Sequence, residues 1–286
     1  MYDVFCYGAI SLDVSGRLER PLHVYGQATA TDYGLSIGGD AALVSLTLAG
    51  LGLEVGLAGS PIGDDPMGEY ILKTLKKESV QALMARAGKT AITAIVIDRD
   101  KRSTITFHEN TPETDIQVPD KAIINSKYVY VDGCFRRNSA IVGKLARDNG
   151  VKSILNLDRP AIPNIEYFDI VIAGEEASKY ISPDPAEAAR KIHEIDQGIG
   201  IVTLGEKGCV CCDGNLLRIP AFVVEAVDTT GTGAAFAAAY IYAMLGGEPL
   251  DEALRFASAA GAYKAMFRGS YRKFTKQDIL DLMAGA

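Results

Sequence analysis

The chain has 286 residues, 48% of them apolar, with 29 Lys and Arg against 36 Asp and Glu and a net charge of −7. That length buries a full core in one large domain or one domain with a small appendage, and the ordinary globular composition excludes wholesale disorder. The acidic balance argues against nucleic acid as a partner, since that calls for a basic stripe, but it leaves room for an anionic small ligand held by backbone amides.

Residues 1–10 turn apolar at once, without the basic region of a signal peptide, and the longest strongly apolar run, 234–245, is too short to span a bilayer. Five scattered cysteines (Cys6, Cys134, Cys209, Cys211, Cys212) fit a reducing compartment better than a disulfide framework. A soluble cytoplasmic protein that works away from membranes is expected.

In chain order, continuous apolar runs at 2–10, 55–58, 128–131, 153–157, 170–172 and 199–204 predict buried strands of a parallel sheet. Helical patterns at 41–49, 67–77, 140–149, 185–195, 234–245, 250–267 and 276–283 fall between and after them. This alternation predicts an α/β fold, a doubly wound and mainly parallel sheet with right-handed crossovers. Two stretches depart from it. Residues 13–33 are polar and loop-like with short extended pieces, while 90–97 and 102–107 alternate as two strands around the turn Asp98-Arg99-Asp100-Lys101. Together they predict one small β appendage, at about 13–35 and 90–108, on a single domain spanning 1–286. A lid over a cleft and a plain sheet extension both suit it.

Glycine clusters mark the junctions. An extended run at 222–227 leads into Asp228-Thr229-Thr230-Gly231-Thr232-Gly233 and then a strong helix. Strand, glycine turn and helix start gather several N–H groups at one point, where an anion can approach closely. The spacing matches neither the P-loop nor G-x-G-x-x-G, and a tight connection is the plain alternative. Ser36-Ile37-Gly38-Gly39-Asp40 opens a second helix, with Asp40 placed as its N-cap. Thr203-Leu204-Gly205-Glu206-Lys207-Gly208 ends a buried strand, where ligands of open α/β sheets bind. Cys209-x-Cys211-Cys212 reads as a strand running into the Asp213-Gly214 turn, not as a zinc site.

Taken in order, Gly8 to Asp13, Gly38-Gly39, Gly59-x3-Gly63-Asp64-Asp65-x2-Gly68, Thr203-x-Gly205-x2-Gly208 and Asp228-Thr229-Thr230-Gly231-x-Gly233 resemble the ribokinase-like (phosphofructokinase-B) carbohydrate kinases. The resemblance covers nearly the whole chain. It implies a doubly wound domain with a small β-sheet lid, and transfer of the ATP γ-phosphoryl group to a sugar or nucleoside hydroxyl with magnesium. It puts the anion hole at Gly231, Thr232 and Gly233 and a general-base Asp immediately after. This chain has Ala234 there. Alanine accepts no proton, so a factor of about 10²–10⁴ from the base is expected to be missing while the backbone cradle persists. Either the alanine was introduced into an active enzyme or the chain is a natural non-catalytic relative; the retained machinery favours the former.

Further roles follow from the same resemblance. Asp13 would hydrogen-bond sugar hydroxyls, and Gly38, Gly39 and Asp40 would form the sugar-side loop. Leu43 replaces a common Asn, which counts against a ribose- or nucleoside-type polar contact and towards a ketohexokinase-like branch. Thr203, Gly205, Gly208, Thr230, Ser258 and Gly261 would take the nucleotide, Ser258 against adenine. Glu176 matches an acidic position that acts on magnesium indirectly, although the accompanying Asn is Ala173. Asp228 would help hold a monovalent cation, potassium, and is a weaker candidate for substitute base. Apart from the resemblance, Arg102, Phe107, Arg136 and Arg159 fall in or near the expected lid and cleft segments, where clustered arginines would suit an anionic sugar; solvated surface arginines are the plain alternative. Family members often dimerise through the lid, so a homodimer is expected. The expected function is ATP-dependent phosphorylation of a sugar or sugar derivative, in a form inactivated at Ala234. Alternatives are a non-catalytic sugar- or nucleotide-binding regulator, a nucleoside kinase, or a vitamin or pyrimidine kinase.

Overall fold

On β1 (Tyr2–Gly8), Val4, Phe5, Cys6 and Tyr7 are all buried, so the strand has no solvent face. Such a strand needs helices on both sides, which parallel crossovers supply. The computed structural model describes residues 1–21, 26–98, 101–109, 115–157 and 165–285, with side chains at 101 and 102 outside that description. β1 pairs in parallel with β4 (Val55–Gly59) and with β8 (Ser126–Asp132). The sheet continues in parallel through β9 (Lys152–Leu157), β10 (Ile170–Gly174) and β11 (Ile199–Thr203). It ends in the antiparallel strands β12 (Cys209–Cys212) and β13 (Leu216–Ile219), with β5 (Gln81–Ala82) at the other edge. The strand order is β13-β12-β11-β10-β9-β8-β1-β4-β5. Winding therefore reverses between β1 and β8. Ligands of such sheets bind beyond the carboxyl ends of the strands at that reversal.

Side-chain alternation on β1 splits the core in two. Val4 and Cys6 pack with α1 (Asp40–Gly50), α7 (Thr232–Leu245) and α8 (Leu250–Ala265). Phe5 and Tyr7 pack on the opposite face with α4 (Arg136–Asp148) and α3 (Asp120–Ile124). Ala234, Ala235, Ala237, Ala238 and Ala239 of α7 are buried. Such small residues let α1 and α8 approach α7 closely, which brings their ends to one place. The remaining helices are α2 (Pro66–Lys77), α5 (Glu175–Ser178), α6 (Pro185–Asp196) and α9 (Lys276–Ala284). Asp65 caps α2, accepting the Gly68 amide at 2.8 Å and the Thr90 amide at 2.9 Å.

A second sheet has the order β3-β2-β6-β7, from β2 (Ser11–Leu18), β3 (Ala30–Gly38), β6 (Ile92–Asp98) and β7 (Lys101–Phe107). The stretch expected to be loop-like thus supplies two strands. Its alternation is real but masked by polar residues: the register sets Asp13 beside Ser36 and Thr93, and Val14 beside Leu35 and Ala94. One face is therefore polar and the other apolar. Residues 222–227, expected as an extended run, form no strand. Val223 there is almost wholly exposed and has no sheet neighbour to pair with. Among the described residues, no helix is long and apolar enough to cross a membrane.

Candidate active site

At the reversal between β1 and β8, the Asp132 carboxylate is fully buried and organises its surroundings. Its Oδ2 accepts the amides of Ala9 at 2.6 Å and Ala41 at 3.1 Å, and its Oδ1 accepts the Cys134 amide at 3.1 Å. Burial pushes its pKa up, and the three amides pull against that shift. A Cβ at Gly8 would lie 2.2 Å from Asp132 Cγ, so only glycine lets β1 exit this close to the carboxylate. The result fixes the end of β1 to the start of α1.

Gly39, at φ 88, is the N-cap of α1, and Asp40 is its first helical residue with no side-chain cap bond. The expectation that Asp40 caps the helix is corrected: its Oδ2 instead accepts Asn156 Nδ2 at 3.0 Å, from the end of β9. That carboxylate is drawn across the strand ends and not back onto its own helix.

Asp13 lies on the polar face of the small sheet and is 5% exposed. Ser11 Oγ donates to its Oδ1 at 3.1 Å, and Ser270 Oγ donates to its Oδ2 at 2.5 Å. A Cβ at Gly38 would fall 1.8 Å from Asp13 Oδ1. Gly38 therefore makes room for the carboxylate.

α7 begins beside this carboxylate. Gly231 is its N-cap at φ 78, and a Cβ there would lie 2.0 Å from the Ser270 carbonyl oxygen and 3.5 Å from Leu43 Cδ1. Ser270 thus touches Asp13 through its hydroxyl and the glycine turn through its backbone. The Ala235 amide returns to Gly231 O at 3.0 Å. Ahead of it, the Thr232 amide turns back to Thr229 O at 3.4 Å, so that expected donor is already engaged. The Gly233 and Ala234 amides belong to the first turn of a helix, where no intrahelical acceptor exists and the partial charge is positive. Nothing stands within 4 Å of where a Gly233 Cβ would be. Ala234 is buried in the same turn. Asp228 braces the loop: its Oδ1 accepts the Thr230 amide at 2.9 Å and its Oδ2 the Gly269 amide at 3.0 Å.

The positions assigned to nucleotide form a continuous flank. Thr203 ends β11, and the loop after it closes through Leu204 N–H to Gly208 O at 2.7 Å, with Gly205 at φ 57 and Gly208 at φ 93. A Cβ at Gly208 would sit 2.0 Å from Ile219 O, and Ser258 Oγ of α8 donates to the next carbonyl, Pro220 O, at 3.4 Å. Gly261, one turn further along α8, packs towards Thr232 O at the start of α7.

Other candidates stand apart. Phe107 is 59% exposed and pairs with Ile92 on the apolar face, opposite to Asp13. Glu176 is exposed and bonds Lys179 at 2.5 Å. Arg136 is exposed at the start of α4. The Arg102 side chain and Arg159 lie outside the described residues. Cys209 and Cys211 are core residues, and burial pushes the Cys209 thiol up to about 12. Among the described residues, no group of three or more His, Cys, Asp or Glu side chains is placed to hold a metal ion.

Four contributors escaped the sequence reading: Asp132, Asn156, Ser270 and Lys264. Asp132 directly follows a predicted strand, a position that could have flagged it. Lys264 is the lone cation in the apolar run Phe256 to Phe267 after Arg255, a placement that asks for a buried partner.

Comparison with known proteins bears on the family and the fold. The chain is 28% identical over 281 residues to the ATP-dependent ribose-1-phosphate kinase of Halopiger xanaduensis, covering 94% of each. It is 27% identical over 274 residues to the ribokinase of Lactococcus lactis, covering 91% of this chain and 89% of that one. The structure of Arabidopsis thaliana ribokinase complexed with ribose and ATP superposes with a TM-score of 0.83 at 22% identity, covering 99% of this chain and 98% of the other; at that identity it speaks for the fold. The family description "pfkB family carbohydrate kinase" matches residues 1–275, and the chain belongs to that family.

Proposed function

We propose that the chain is an ATP-dependent sugar kinase scaffold whose turnover is limited by Ala234. The supporting observation is Ser270, whose hydroxyl bonds Asp13 while its carbonyl packs on Gly231. A carboxylate suited to sugar hydroxyls and a helix start suited to phosphate are thereby one residue apart. Phosphoryl transfer needs that adjacency more than it needs covalent chemistry.

In this reading, Asp13 exchanges the Ser270 hydroxyl for a sugar hydroxyl and orients it, with Asp40 and Asn156 on the far side. The amides of Gly233 and Ala234 face the charge that develops on the transferred phosphoryl group, while Thr232 shapes the turn through its bonds to Thr229 O. Gly205, Gly208, Thr230, Ser258 and Gly261 flank the nucleotide, and magnesium enters on its phosphates as part of the substrate. Thr203 ends the strand that carries this flank. The small sheet closes over the site and excludes water. Asp228 is a poor replacement base, because both its carboxylate oxygens hold backbone amides. A homodimer through the apolar lid face belongs to the same reading.

Ala234 favours one second reading, a sugar- or nucleotide-binding regulator. The two separate in one experiment. Binding and ATP-dependent phosphorylation are measured on the chain and on Ala234→Asp, with pentoses, hexoses, sugar phosphates and ribonucleosides. A general base restored at that position is expected to raise turnover by about 10²–10⁴. Binding in both proteins with turnover in neither would overturn the kinase reading and support the regulator.

A further inference from the structure

Lys264 lies in the last turn of α8 and is 1% exposed, so its amino group does not reach water. Its Nζ donates to Asp228 O at 2.9 Å and to Phe267 O at 3.1 Å. The same spot is tied by main-chain bonds: the amides of Val227 and Asp228 both reach Ala265 O, at 2.7 and 3.0 Å. The Asp228 carboxylate then accepts Thr230 and Gly269 amides, so the amino group sits at the root of the turn that ends in Gly231.

A buried ammonium costs several kcal/mol unless oxygen dipoles and a nearby charge compensate it. Carbonyl oxygens of an irregular loop are also the donor set that replaces water around an alkali cation. The potassium site implied at Asp228 does not fit this arrangement, since the Asp228 and Phe267 carbonyls are committed to Lys264.

We propose that Lys264 is a tethered substitute for a monovalent cation. Its charge would hold the 228–233 turn in its anion-binding form permanently, making the site independent of potassium. An ordinary helix C-terminal lysine also bonds last-turn carbonyls, but such lysines keep their heads in solvent and do not reach a separate loop. The inference rests on Gly231–Gly233 being the phosphate site only in its second readout below.

The test compares wild type and Lys264→Ala in potassium, sodium and choline chloride at equal ionic strength. Without nucleotide, the wild-type melting temperature is expected to match in all three salts. Lys264→Ala opens space at the carbonyls and is expected to melt lower in choline and to recover by about 3 °C or more in potassium, as a cation bound only to the folded state requires. With ATP as the probe, wild-type affinity is expected to vary less than about twofold across the salts, and the variant to weaken about tenfold in choline and recover in potassium. A wild type that is stabilised or binds ATP several-fold tighter in potassium overturns the proposal, even where the variant does not fold. A folded Lys264→Ala that responds alike to all three salts also overturns it. If neither protein binds ATP, the phosphate-site reading fails, while the melting temperatures still decide the role of Lys264.

Discussion

Ser270 Oγ donates to Asp13 Oδ2 at 2.5 Å, joining the small sheet to the segment after α8 across 257 residues of sequence. Both groups are buried, so the bond leaves Asp13 satisfied when no sugar is present. Asp13→Ala removes the acceptor that a sugar hydroxyl would use. Hydrogen bonds to a charged group are worth about 1.5–3 kcal/mol, so sugar affinity should fall about 10–150-fold. ATP affinity should stay within about twofold, because Asp13 touches nothing assigned to nucleotide. Calorimetry with each ligand checks the split, and an equal loss of both would show that Asp13 acts only by holding the fold.

Gly231 and Gly233 are two residues apart yet should respond oppositely to the same substitution. Gly231→Ala forces a side chain onto φ 78 and against the Ser270 carbonyl. Strain of that kind costs about 1–3 kcal/mol, and a lower urea midpoint should report it. Gly233→Ala meets open space and gains about 0.5–1 kcal/mol of helix propensity. Its new methyl occupies the place a phosphate would approach, so nucleotide affinity should fall in a protein that is no less stable. Unchanged affinity in Gly233→Ala would remove the phosphate from this turn.

Asp65 and Asp132 should impose opposite pH dependences on stability. Burial raises the Asp65 pKa, but the Thr90 and Gly68 amides and the Thr90 hydroxyl outweigh it and leave the group below its usual range. Its stabilisation is therefore present above the unfolded value of about 3.9 and is lost as pH falls through the lower folded value. Burial holds Asp132 above its usual range, so its penalty is absent at low pH and appears as pH rises past about 3.9. Asp65→Asn should cost about 1 kcal/mol at neutral pH as a weakened cap. Urea unfolding between pH 6 and 3 should show the gap between wild type and Asp65→Asn closing as pH falls. With Asp132→Asn the trend should reverse, wild type gaining stability relative to the variant as pH falls, because protonation relieves only the wild type.

The layout of strands, helices and glycine turns was legible because continuous apolar runs and glycine junctions are local signals. Gly38 and Gly231 could be picked out in the sequence, but the reason for each, Asp13 in one case and Ser270 O in the other, depends on contacts far along the chain. Asp132 and Asn156 were missed for the same reason. They carry no motif, and their role arises only when β8 stands beside β1 and β9 beside β8. Strands β2 and β3 of the small sheet were hidden because their inner face is polar, which lowers the alternation that marks a strand. Lys264 was hidden by its ordinary place near a helix end.

The apolar face of the small sheet gives the last prediction. Val14, Leu35 and Ile105 fall in one row across β3, β2 and β7, with Ala94 of β6 between Val14 and Ile105. Val14, Leu35, Ile105, Tyr33 and Phe107 are all exposed, Tyr33 to 80%. A contiguous apolar patch on a sheet face is costly in water and marks an interaction surface. A second copy would cover it with an identical row about a twofold axis. Leu35→Glu and Ile105→Glu put charge at the row while leaving the polar face and Asp13 untouched. In the proposed dimer, either substitution should shift the sedimentation profile to monomer with little change in melting temperature of the isolated chain. A wild-type protein that sediments as a monomer at tens of micromolar would show instead that the patch serves some other contact.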